Sequence, residues 1–254
     1  MLLSAHIAEM SIPKAARVLR AKPDPSAVQG LRWAQTFMTG ELRRGVFPSV
    51  MVTGAILLSA WDDDESLDRF SGHRKLKPFK DGFRVRMQPA RSIGMLPGLP
   101  ELPRQERPMG DGPIAAFTVG RVRANKLLPF FVTAGAAERD ATNHPGFIEG
   151  ITILRPPLVI GTFSLWRSGA DMRDYAVGTY PGGHSKAIAK DSKAQYNHEM
   201  FFSRHLPYAP EGQWKGRNPL EMLVASPNGR AHAIDREDVR GAVSVAGAES
   251  GWDG

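Results

Sequence analysis

The feature that most constrains this 254-residue chain is an internal echo. Gly54–Phe70 and Gly161–Tyr175 each read as a glycine, an apolar strand, a tryptophan, a polar helix start and two core positions. Leu67 and Phe70 stand six and nine residues beyond Trp61, and Met172 and Tyr175 stand six and nine beyond Trp166. That spacing places both members of each pair on one helix face. Downstream, Gly94 and Gly98 are four apart, as are Gly212 and Gly216, and both pairs follow a strand-like stretch and precede a proline. Each half then reads strand, helix, strand, strand, helix, strand, the ferredoxin-like order. Two such halves can pack sheet to sheet around a cavity. The expected fold is therefore α+β: two fused ferredoxin-like halves forming an α/β barrel.

The expected boundaries follow from composition. Residues 1–98 form the first half and 114–220 the second. Between them, 99–113 is a linker within a stretch rich in proline, glycine and charge. The tail, 221–254, is small, polar and charged, and is expected to be poorly ordered.

Local signals fill in the halves. Leu2–Met10 reads as a strand. Asp24-Pro25-Ser26 reads as a helix start, with Val28, Leu31, Trp33, Ala34 and Phe37 following and Gly40 and Gly45 ending the helix. Val50–Trp61 is a buried strand, and Asp62 to Glu65 suit the positive end of a helix. Phe83–Met87 alternates as a strand. Ile114–Val122, Phe147–Leu154 and Leu158–Trp166 are further strands, and Leu127–Ala137 is helical. Arg155-Pro156-Pro157 makes a tight antiparallel connection, since neither proline donates to a ladder. A helix carries Met172 and Tyr175. After Pro181-Gly182-Gly183, a long helix is expected from His184 through His198 towards His205, with Leu206–Trp214 extended beyond it.

Composition excludes several classes. Cysteine is absent, so no disulfide framework, thiolate nucleophile or thiolate haem ligand can exist. The longest apolar runs fall short of a membrane span, and the N-terminus lacks a signal-peptide pattern. A cytoplasmic location is expected. The net charge of +7 is dispersed, which allows contact with anionic lipid or capture of an anionic ligand. Zinc-finger spacing, an RNP-like strand and a dense basic helix are lacking, so nucleic acid is not expected as a partner. A P-loop, a dinucleotide fingerprint, Gly-x-Ser-x-Gly and the zinc helix pattern are missing as well.

The blocks ARSIGMLPG, GPIAAFTVGRVR, GTFSLWRSGADMRDYA, GHSKAIAKDSKAQYNHEMFFSRH and GQWKGRNPL resemble those of the spheroidene monooxygenase family of carotenoid-biosynthesis enzymes. The match runs in order from about Arg32 to Leu220. The pattern S-x-W, M-x-x-(Tyr/Phe)-A, G-H-x-x-A-I is also similar to smaller proteins of the dimeric α/β-barrel superfamily. The resemblance implies haem b, molecular oxygen as co-substrate, an apolar carotenoid-like substrate and an electron donor such as a ferredoxin or reductase. It places the haem site in the second half. The chain departs from the family pattern at Tyr196-Asn197, at His205 and at the polar Asp191 and Lys193, which points to a smaller or more polar substrate.

On that reading His184 is the axial iron ligand, with its second nitrogen fixed by a carbonyl or carboxylate. Trp166 would line a flat ligand, and Arg123 and Arg167 would meet haem propionates or polar distal groups. His205 would be a distal donor and Ser164 would orient oxygen or substrate. His198 and His144 are weaker ligand candidates, and His144, in Asn-His-Pro-Gly, reads first as a turn residue. Two other functions stay open: a haem-dependent dehydratase of the same barrel type, and a non-catalytic binder of haem or an apolar ligand. The backs of two fused sheets also permit self-association.

Overall fold

The computed structural model describes residues 1–42, 52–103, 112–177 and 196–221. The first half contains β1 (Leu2–Glu9), α1 (Ile12–Arg20), β2 (Leu31–Glu41), β3 (Val52–Trp61), α2 (Asp64–Phe70) and β4 (Phe83–Gly94). The second contains β5 (Ile114–Val122), α3 (Leu127–Asn143), β6 (Phe147–Arg155), β7 (Val159–Trp166), α4 (Gly169–Val177) and β8 (Asn197–Glu211). The strands close into one antiparallel barrel in the order β1-β3-β2-β6-β7-β5-β8-β4. Within it the first half contributes β4-β1-β3-β2 and the second β8-β5-β7-β6, the same ferredoxin-like order twice. The ladders β2–β6 and β4–β8 seal the two halves together. Closure leaves no free sheet edge.

Alternation along each strand separates two environments. Leu3, Ala5 and Ile7 point into the barrel with Phe37, Phe117 and Phe163, and this interior is mainly apolar. The other strand faces meet the helices. In the first half, Leu57, Trp61, Leu67, Phe70 and Phe79 fill the layer between sheet and helices. In the second half the described part of the corresponding layer is built on Ile114, Trp166 and Met172.

The repeat holds at the level of contacts. Trp61 lies 5.2 Å from the Phe70 ring and Trp166 lies 4.8 Å from the Tyr175 ring. Gly94, Gly98, Gly212 and Gly216 all adopt positive φ, between 74° and 81°, which explains why both paired positions are glycine. Gly54 and Gly161 are not equivalent, because they stand seven and five residues before their tryptophans. Asp63 caps α2 by accepting from the Ser66 amide at 2.8 Å, as the acidic cluster suggests.

Three expectations are corrected. Residues 31–41, expected in a helix, form β2. Only Pro25–Ala27 makes a single helical turn, with Asp24 at its start. The nine-residue α1 was not expected at all. Residues 197–205, expected as the end of a long helix, belong to β8. His198 therefore lies on a strand and not on the expected helix. His184 and the rest of 178–195 lie outside the described residues, as does 222–254.

Candidate functional site

The register shows where the halves diverge. Leu2 pairs with Trp61 as Ile114 pairs with Trp166. Counting from those pairs, Ser4, His6 and Ala8 correspond to Ala116, Thr118 and Gly120, and Leu57 corresponds to Thr162. The second half thus carries smaller side chains at each of these positions on the face that meets its helices. Helix α3 turns Ala134, Ala137 and Ala141 towards them. Beside Thr162, the counterpart of the buried Leu57, the second half holds a cavity of about 380 Å³.

One end of the cavity is aromatic. Trp166 stacks on Tyr175, with ring planes 28° apart, and meets Phe147 edge-on at 5.4 Å. Its indole N–H donates to Ser164 Oγ at 2.9 Å. In the first half Trp61 donates instead to Ser4 Oγ at 3.0 Å, an option that Ala116 removes in the second. The Tyr175 hydroxyl donates to the Ala137 carbonyl at 3.1 Å, tying α4 to α3. Burial, followed by the charges of Asp140 and Glu138, raises the Tyr175 phenol well above its ordinary pKa, so it stays protonated.

The remaining wall is mainly apolar, with Phe130, Phe131, Leu154, Ile160 and Phe202 among the lining residues. Glu138 is the sole carboxylate among the described lining residues, and it is buried. It accepts from Thr152 Oγ1 at 3.2 Å, across from α3 to β6. A carboxylate at such a site costs free energy unless it is held by hydrogen bonds. Glu138 was not singled out in the sequence. Its signal is a lone charge in phase with Ala134, Ala137 and Ala141, the small residues on the inner face of α3.

The predicted residues fall in several places. Ser164 and Trp166 line the cavity together. His144 lies behind Trp166, edge-on at 5.5 Å. Its Nδ1 accepts from the Gly146 amide at 3.0 Å and its Nε2 lies 3.2 Å from Asp174. It is a turn residue that also props the tryptophan. His205 is not brought to the cavity: it points into the barrel from the opposite face of β8 to Phe202. There it is wholly buried, with Nε2 2.8 Å from Ser203 Oγ and Nδ1 unpartnered. Burial holds its pKa down to about 3, so it is neutral. Arg123 stands just before the start of α3 and outside the cavity lining, with a buried and unpartnered Nε. Arg167 is exposed beyond Trp166.

No histidine lines the cavity among the described residues. His6 lies on the first-half sheet, and His73 caps a helical turn beside α2. No group of three metal-binding side chains exists among the described residues. The described walls suit a flat apolar ring system, and any imidazole ligand to iron must come from outside them. No helix among the described residues is long and apolar enough to cross a membrane.

Comparison with known proteins gives two sequence relatives. The chain is 29% identical over 195 residues to the spheroidene monooxygenase of Rubrivivax gelatinosus, covering 74% of this chain and 73% of that one. It is 29% identical over 143 residues to the spheroidene monooxygenase of Rhodobacter capsulatus, covering 55% of this chain and 58% of that one. Among solved structures, a candidate monooxygenase from Fusobacterium nucleatum aligns with a TM-score of 0.39 at 12% identity, covering 85% of this chain and 95% of that one. No protein-family model matches the chain.

Proposed function

We propose that this spheroidene monooxygenase-like chain is an oxidoreductase that inserts one oxygen atom into an apolar substrate held in the second-half cavity. The observation that carries this reading is the asymmetry of the repeat. One sheet–helix layer is packed, and its counterpart opens into an apolar, aromatic-ended space. Such pockets are the usual form of small-ligand sites. The reading takes the substrate to be carotenoid-like or another secondary metabolite of similar polarity.

The chain's own residues would bind and orient. Trp166, with Tyr175 and Phe147 behind it, offers a fixed flat wall. Ser164 is held by the Trp166 indole, and its hydroxyl is placed to orient a polar atom of the ligand. Glu138 and Thr152 give the cavity a polar point where a proton can be held or handed on. The proposed cofactor is haem b, which His184 would hold through its imidazole and which would supply the activation of molecular oxygen. The second oxygen atom leaves as water, with two electrons from a reductase or ferredoxin and two protons from solvent.

The test combines a spectrum with gas uptake. Purified protein given haem should show a Soret band that shifts on reduction and is lost or altered in His184→Ala. Oxygen uptake should be coupled to product. Turnover without oxygen would favour a dehydratase instead, and failure to take up haem would leave a cavity that binds without oxidising.

A further inference from the structure

The β4–β8 ladder carries two charged cross-strand pairs of opposite character. At one end Arg84 faces Glu211 and forms an ion pair with it. Further along, Arg91 faces Arg204 directly. Like charges placed opposite each other destabilise a sheet. The charge of Arg173, on helix α4, adds to that of Arg91 in its effect on the Arg204 guanidinium. Burial first, then these two charges, lower its pKa. None of the three arginines forms an ion pair with a described residue.

Arg204 is the inner member of the group. It is half-buried, its Nε is shut off from solvent, and that nitrogen has no hydrogen-bond partner. Its guanidinium sits 5.2 Å from the centre of the Phe202 ring. On its other ladder it pairs with Ala116. Phe202 and Ala116 both line the second-half cavity. Arg204 therefore stands at the edge of that cavity, with Arg91 opposite it on β4. A guanidinium fork is well matched to a carboxylate or phosphate.

We propose that Arg204, with Arg91 opposite it, holds the oxyanion of an amphipathic ligand whose apolar body occupies the cavity. This rests on the cavity being the ligand site, as proposed above. The anion supplies the opposite charge that no described residue gives the Arg91–Arg204 pair, and it fixes which end of the ligand faces the strands. Two sources share this chemistry: the carboxylates of a porphyrin, and the carboxylate of a long-chain substrate.

The test compares each acid with its neutral ester. Binding of oleate and methyl oleate, and of haemin and haemin dimethyl ester, is measured on wild type, Arg91→Gln and Arg204→Gln. Oleate is expected to bind wild type about tenfold more tightly than its ester if the substrate carries the charge, and haemin about tenfold more tightly than its ester if the porphyrin does. Each variant should lose that preference and keep the affinity for the ester. Equal binding of both acids and their esters by wild type overturns the proposal, as does equal weakening of acid and ester in the variants. If no apolar probe binds at all, the cavity reading fails by itself. Inorganic phosphate then decides the arginine group: a rise in Tm over chloride at equal ionic strength, lost in Arg204→Gln, supports the anion site, and no rise overturns it.

Discussion

Two histidines make this protein acid-sensitive in a defined window. His6 is buried on the helix-facing side of β1, and its pKa is held down to about 4 by burial and then by Arg84 and Arg86. His205, inside the barrel, is held down to about 3 by burial. Both are neutral when folded and take up a proton near pH 6.5 when unfolded. The unfolded chain binds more protons below that value, so stability is complete above pH 6.5. It falls as the pH drops towards 4 for His6 and towards 3 for His205. At pH 5 each group costs about 2 kcal/mol, about 4 kcal/mol together, a figure set almost wholly by the unfolded-state pKa. The lowered carboxylates Asp24 and Asp63 lie below this window and do not contribute to it.

The assay is urea unfolding, followed by tryptophan fluorescence, from pH 7.5 to 4.5. Wild type is expected to lose about 4 kcal/mol between pH 7.5 and 5. His6→Gln and His205→Gln should each remove about half of that slope, whatever their stability at neutral pH. A loss of less than about 1 kcal/mol in wild type, or slopes unchanged in both variants, would refute the assignment of these two side chains as buried and neutral.

Other perturbations probe the two layers. Thr162→Leu places the first half's Leu57 at its counterpart and should abolish binding of an apolar probe while leaving Tm unchanged or raised, checked by calorimetry. Gly161→Ala would set a Cβ 2.0 Å from the Thr118 carbonyl oxygen, so it should lower stability by more than about 2 kcal/mol in a urea titration. Glu138→Gln should leave the fold intact and lower the rate of oxygen uptake at neutral pH, read in an oxygen-electrode assay.

The architecture was legible because the repeat is carried by contacts. Trp61 with Phe70 and Trp166 with Tyr175 need the same spacing to touch. Strand β2 was misread because a strand buried on both faces loses its period of two: Trp33, Ala34, Thr36 and Phe37 are all inside. Strand β8 was misread because its barrel-facing residues include Ser203 and His205, which break the apolar alternation that marks a strand. Helix α1 buries only Ala15 and Val18, too short a stripe to register. At the site, Ser164 and Trp166 were readable because they sit on a strand whose phase is plain. Glu138 and Arg204 were not, because their meaning depends on neighbours far away in sequence: Thr152 on β6 and Arg91 on β4.

The central claim is that the second half holds the ligand where the first half is packed, and paired tryptophans test it. All-trans-retinol, a short polyene added from an ethanol stock, is titrated into wild type, Trp61→Phe and Trp166→Phe while intrinsic fluorescence is followed. The account predicts saturable quenching in wild type, retained in Trp61→Phe and largely lost in Trp166→Phe. Quenching that survives in Trp166→Phe and disappears in Trp61→Phe would contradict it.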